Sequence, residues 1–134
     1  MKKLTKKEDQ IMQVVWKLEK AFIKEIIIEL PANSIGKKPH YNTVATLVKI
    51  LESKGFLNGE LLGNSYRYSP AIDITEYRDD DLQEIRKKYF GDSLPKMLAH
   101  FAKSENLSDK EREELIRIIQ EGKDEDRRRL ISSI

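Results

Sequence analysis

Apolar residues recur at helical spacing along most of this chain. In the segment Tyr41 to Gly55, Val44, Leu47, Val48 and Leu51 fall at i, i+3, i+4 and i+7, which is one apolar stripe of a helix. The opposite face is Asn42, Ala45, Thr46, Lys49 and Ser53, with Glu52 at its flank. Gly55 stands where a left-handed helix stop is expected, and Phe56 follows as the apolar contact of such a cap. The pattern then changes period. Leu61-Leu62 and Tyr66-Arg67-Tyr68 flank the turn residues Gly63-Asn64-Ser65 and read as a hairpin, which Pro70 ends. Tyr66 and Tyr68 share one face of the second strand and Arg67 takes the other.

Upstream, Ile11, Val14, Val15 and Leu18 make a first helix, opened by the capping box Thr5-Lys-Lys-Glu8. Trp16 extends the stripe as a core residue. Ala21-Phe22-Ile23 reads as a short strand beside the hairpin, and Lys24 to Leu30 as a short helix stopped by Pro31. The loop from Ala32 to Pro39 exceeds the turn of a minimal helix-turn-helix.

Beyond Pro70 three more helices are expected. The first starts at Thr75 and carries Leu82, Ile85 and Tyr89 on one face, with Gly91 breaking it. The second is capped by Ser93 and carries Leu94, Met97, Leu98 and Phe101. The third opens on the capping box Ser108-Asp-Lys-Glu111 and carries Leu115, Ile118 and Ile119, with Gly122 weakening or ending it. The tail from Lys123 reads as frayed or as a loose helical extension.

The expected fold is mainly α with a small β-wing. Residues 1–74 form a winged helix-turn-helix for DNA binding, and residues 75–134 a three-helix dimerisation region with a charged C-terminal tail. These three short helices cannot enclose a secure core alone, so their stripes need the other half or a second chain. The dimer surface is assigned to Leu82, Ile85, Leu94, Leu98, Phe101, Leu115 and Ile119.

Charge sharpens this division. Residues 1–70 carry 12 Lys and Arg against 7 Asp and Glu, and residues 71–134 carry 13 against 16, so the halves stand at +5 and −3. A basic half beside an acidic one suggests that the first meets a polyanion. A recognition-helix face of small and hydrogen-bonding side chains fits a major groove. Asn pairs bidentately with adenine, and Thr offers a hydroxyl and a methyl suited to thymine. The candidate DNA contacts are therefore Asn42, Thr43, Thr46 and Lys49, with Tyr41, Lys37 and Lys38 at the backbone and Arg67 on the wing. Bland alternatives stand beside them: Asn42 as a helix cap, Thr43 nearer the apolar stripe, Arg67 in a surface ion pair, the lysines as solubilising charge.

Enzyme readings find little support. His40 and His100 belong to no HExxH pattern, no GxSxG elbow occurs, and Gly36-Lys37-Lys38 lacks the rest of a phosphate loop. Acidic Asp79-Asp80-Asp81 suits the start of a helix better than a metal. No cysteine is present, and no apolar run reaches the length of a signal peptide or membrane span. No cofactor, metal or membrane partner is expected, and the location expected is cytoplasmic.

The segments LTKKEDQIMQVVW (Leu4–Trp16), NTVATLVKILESKGF (Asn42–Phe56), YRYSPAI with a following Tyr (Tyr66–Tyr77) and, more weakly, SLPKMLAHFAKSENLSDKEREEL (Ser93–Leu115) resemble the penicillinase-repressor family of bacterial winged-helix repressors, the BlaI/MecI type. The resemblance implies a homodimer that blocks a promoter at a double-stranded, palindromic operator and controls a resistance or stress operon. It also implies a regulatory protease that cuts the dimerisation region. The bond matching the family's Asn–Phe cut is His100–Phe101, with His in the place of Asn. A copper-responsive branch uses cysteine pairs near the C-terminus, and this chain has none. Two other classes remain open: a winged helix used purely for protein interaction, and a MarR-like regulator sensing a small molecule. Salt-sensitive duplex binding separates the first from a repressor, and thermal stabilisation by ligand reveals the second.

Overall fold

The computed structural model describes residues 3–132, without the side chains of 124–127 and 129–132. The chain forms two compact units, Met1–Gln83 and Glu84–Ile134. Helices dominate, and a three-stranded antiparallel sheet completes the first unit.

Helix α1, Lys6–Leu18, begins at the expected capping box. The Glu8 backbone N–H donates to Thr5 Oγ1 at 3.2 Å, and the Thr5 N–H donates to Glu8 Oε1 at 2.8 Å. Strand β1 is Ala21–Phe22, and helix α2 is Ile23–Glu29. Ile23, expected at the end of the strand, is the first helical residue, because the Glu25 carboxylate accepts the Phe22 N–H at 2.9 Å and closes the first turn there. Leu30, expected inside the helix, is extended at φ −72°, ψ 148°, since Pro31 excludes the helical conformation from the residue before it.

Helix α3, Tyr41–Ser53, ends in a Schellman turn. Gly55 takes φ +85°, its N–H donates to Glu52 O at 3.0 Å, and the Phe56 N–H donates to Leu51 O at 2.9 Å. Phe56 is thereby turned into the core. Strands β2, Leu57–Leu62, and β3, Ser65–Pro70, follow at once, and the sheet order is β1-β3-β2. The loop of the hairpin is only Gly63-Asn64, because Ser65 already pairs with Leu62. Gly63 at φ +62° lets so short a turn follow the twist of its strands.

The core joins Ile11, Met12 and Val15 of α1, Ile26 of α2, Val44, Val48 and Leu51 of α3, and Phe56, Leu57 and Tyr68 around the wing. Trp16 is half-buried at its edge. Its indole N–H donates to Ile72 O at 2.9 Å, and its ring lies 5.5 Å from that of Tyr77. Tyr77 belongs to helix α4, Ile74–Tyr89, which begins one residue before the expected Thr75, as the Asp73 carboxylate accepts the Thr75 N–H at 3.2 Å. Burial, and after it Asp81, raises the Tyr77 hydroxyl pKa.

In the second unit, α5 is Leu94–Ser104, capped by Ser93, whose Oγ accepts the Lys96 N–H at 3.2 Å. Helix α6, Asp109–Ser132, opens on the Ser108–Glu111 capping box. It continues through Gly122, as a single helical glycine costs only about 1 kcal/mol. Ser133 and Ile134 of the tail lie outside the described residues. Met97 is the one buried hydrophobic residue described in this unit. Leu94, Leu98, Phe101, Ile118 and Ile119 are exposed and Leu115 is half-buried, so the apolar stripes of α5 and α6 face outward in the single chain.

Candidate nucleic-acid interface

Burial of Val44, Val48 and Leu51 fixes the rotation of α3 about its axis. Asn42, Thr43, Thr46 and Lys49 are consequently exposed, and Tyr41 stands half out of the surface at its first turn. Ala45, on the same polar face by sequence, turns partly into the core. Thr46 Oγ1–H donates to Asn42 O at 2.9 Å. That bond uses the hydroxyl proton, so the group Thr46 presents outward is its methyl with the oxygen lone pairs. The helix has one carboxylate, Glu52, and it leans over the wing. Its Oε2 lies 2.8 Å from where a Cβ on Gly59 would stand.

The wing brings Tyr66 and Tyr68 to one face, ring centres 6.3 Å apart, as their alternation requires. Tyr68 is buried, and its hydroxyl pKa is raised by that burial first and then by Glu52, Tyr41 and Tyr66. Tyr66 stays exposed beside Leu61, its partner across the hairpin. Arg67 sits opposite Glu60 and its guanidinium approaches that carboxylate at 3.6 Å. The two-residue turn dictates this pairing. The ion pair is the surface alternative offered for Arg67 from sequence, and its partner Glu60 follows from a turn of Gly63-Asn64 rather than Gly63-Asn64-Ser65.

The loop before α3 is ordered by Asn33. Its Oδ1 accepts the N–H groups of Ile35 at 3.1 Å and Lys37 at 2.9 Å, while its own backbone N–H donates to Lys37 O at 2.8 Å. Lys37 projects from this turn into solvent. Lys38 does something different. Its ammonium donates to the carbonyls of Ile28, at 3.0 Å, and Leu30, and so closes the C-terminus of α2. The loop and α3 thus leave Lys37, Lys38, Tyr41, Asn42, Thr43, Thr46 and Lys49 exposed, with the Lys38 ammonium engaged by α2, whereas Arg67 stands on the wing, engaged by Glu60.

One pair escaped sequence reasoning entirely. Lys54, the C-cap of α3, donates to both Glu8 oxygens at 2.9 Å. Burial pushes the Glu8 carboxyl up, but the bonds from Lys54 and Thr5 outweigh it and hold its pKa below the ordinary value of 4.5. Nothing in the spacing of Glu8 and Lys54 announces this contact, because it depends on how α1 crosses α3.

His100 and Phe101 both lie on α5 with their rings 6.0 Å apart, and the His100 ring also lies 5.6 Å from that of Phe90. Leu82 and Ile85 are exposed on α4. Among the described residues no cluster of three His, Cys, Asp or Glu could hold a metal, and no helix is long and apolar enough to cross a membrane.

The penicillinase repressor family model matches residues 4–121. The chain is similar to the penicillinase repressor of Bacillus licheniformis, 29% identical over 126 residues that cover 92% of this chain and 96% of that protein. It is also similar to the penicillinase repressor of Staphylococcus aureus, 27% identical over 108 residues covering 81% of this chain and 83% of that protein.

Proposed function

Since the chain belongs to the penicillinase repressor family, we propose that it acts as a homodimer, a transcriptional repressor that holds two winged helices on the half-sites of a palindromic operator. The observation that carries this reading is the outward face of α3, where Asn42, Thr46 and Lys49 stand exposed while the helix's one carboxylate leans to the wing. Residues 1–74 read the DNA and residues 75–134 pair the chains. Asn42 and Thr46 meet base edges, while Tyr41, Thr43, Lys37 and Lys49 meet the backbone. Lys38 and Arg67 reach phosphate only by exchanging or sharing their present partners.

Pairing of two chains is supported by the exposed stripes. Leu94, Leu98 and Phe101 on α5, Ile119 on α6, and Leu82 and Ile85 on α4 are exposed and Leu115 on α6 is half-buried, and such apolar residues gain by covering against a second copy. The protein is not an enzyme in this reading, works in the cytoplasm and controls a resistance or stress operon. Its switch is proteolysis at His100–Phe101. That bond lies inside α5, so a protease needs the helix to open first.

The test is binding of the full chain to promoter duplexes and to scrambled sequence across a salt series. A repressor prefers its operator and loses affinity steeply with salt as counterions are released. Equal, salt-insensitive binding, or none, would instead leave a protein-interaction module.

A further inference from the structure

Between α1 and the loop that precedes α3 lies a cleft of about 460 Å³, within the size range of small-ligand sites. Its floor is Ile11, Leu30, Val44 and Leu47, and its rim carries Lys7, Lys37 and Lys38. No carboxylate lines it. The carboxylate that feels Lys38, Glu29, is held by Lys17 at 2.8 Å, and Lys7 and Lys37 have no carboxylate partner among the described residues.

The wall of this cleft is built in advance. The Asn33 side chain ties down the turn through Lys37, Gly36 supplies its left-handed φ of +82°, and Lys38 fastens the loop to the end of α2. A loop longer than a helix-turn-helix needs is therefore held open beside an apolar floor, with positive charge on two sides.

We propose that this cleft binds a small organic anion, its charge between Lys7 and Lys37 and its apolar body on Leu30, Val44 and Leu47. Occupancy lowers operator affinity, because Lys37 and Thr43 line the cleft and also belong to the face assigned to DNA. This second statement rests on the repressor reading, whereas the first does not.

The experiment uses the ¹⁵N-labelled full chain and three probes: 1-naphthyl phosphate, its uncharged counterpart 1-naphthol, and inorganic phosphate. The expected result is saturable shifting of Gln10, Asn33, Thr43 and Leu47 resonances by naphthyl phosphate. Each of the other probes should bind at least about tenfold more weakly, naphthol because it lacks the charge and inorganic phosphate because it lacks the apolar body, and naphthyl phosphate should lose at least as much on the Lys7→Glu/Lys37→Glu double variant. Both lysines are exposed, and an unchanged spectrum elsewhere verifies that the variant folds. Absence of saturable shifts in the cleft, shifts confined to α5 and α6, or equal binding of inorganic phosphate, as expected of a mere backbone-phosphate contact, would overturn the site. Operator affinity is then measured with and without saturating naphthyl phosphate. A several-fold loss supports the coupling and an unchanged affinity refutes it. Failure of the untreated protein to bind any operator would instead count against the repressor reading, leaving the cleft to be judged by its own titration.

Discussion

The Lys54 ammonium bridges both oxygens of the buried Glu8 carboxylate, 2.9 Å to each, and so joins the first turn of α1 to the C-cap of the helix proposed to read DNA. Glu8 is the only charged residue buried among those described, at 1% exposure. It already serves the capping box of α1, so one carboxylate both caps α1 and ties the C-cap of α3 to it. Lys54→Met should lower unfolding stability by about 3 kcal/mol, because it leaves a buried carboxylate without its cation. Chemical denaturation measures it, and a loss below about 1 kcal/mol, the level of an exposed pair, would contradict the assignment.

The same pair gives a pH dependence. Glu8 titrates lower folded than unfolded, so its contribution is fully present above 4.5 and is lost as pH falls through its depressed folded value. Thermal melts between neutral and acid pH should show a fall in this range that is smaller in Glu8→Gln. An identical fall in the variant would show that other carboxylates dominate.

Thr46 donates its hydroxyl proton to Asn42 O, which leaves the methyl as its distinctive outward group. Thr46→Val should therefore keep most of the preference for operator over scrambled duplex, while Thr46→Ser loses about 1 kcal/mol of discrimination. The reverse order would mean that the hydroxyl makes the contact. Asn42→Ala should relax discrimination by about 1–3 kcal/mol. An unchanged ratio for Asn42→Ala and for Thr46→Ala would remove α3 from base readout.

Two adjacent lysines should behave differently. Lys38 closes the end of α2, so Lys38→Ala should lower folding stability by about 1 kcal/mol. Lys37 has no such bond, so Lys37→Ala should leave stability unchanged and reduce the salt slope of operator binding by about one. Denaturation curves and salt titrations of both variants decide the matter.

Replacement of Phe101 or Leu98 by Asp should abolish pairing without unfolding the first compact unit, Met1–Gln83. Sedimentation should show a monomer, and operator affinity should fall toward that of a single reading head. A dimer persisting in the Leu98→Asp/Phe101→Asp protein would move the interface elsewhere.

Local chemistry made much of this architecture legible. Thr5 with Glu8, and Gly55 with Phe56, carry their instructions within a few residues, and both caps form where the sequence expects them. The pairing of Ala21-Phe22 with Tyr68-Arg67 was legible as a short strand beside the wing. Contacts that depend on helix crossing were not. The Glu8–Lys54 bridge spans 46 residues, and the anchoring of Lys38 on α2 requires the path of a loop that no periodicity describes. The exposed face of α3 was readable because its buried counterpart, Val44, Val48 and Leu51, repeats with the helical period.

Trp16 is the only tryptophan of the chain, and its indole is bonded to Ile72 just before α4 and lies beside Tyr77 within it. This gives the molecule an intrinsic optical reporter placed at the seam between the winged helix and the first turns of α4. Its emission will redden when that seam loosens even if the core around Ile11 and Val48 stays closed. Undocking of α4 on operator binding, or after a cut in α5, can thus be timed in solution without attaching any label.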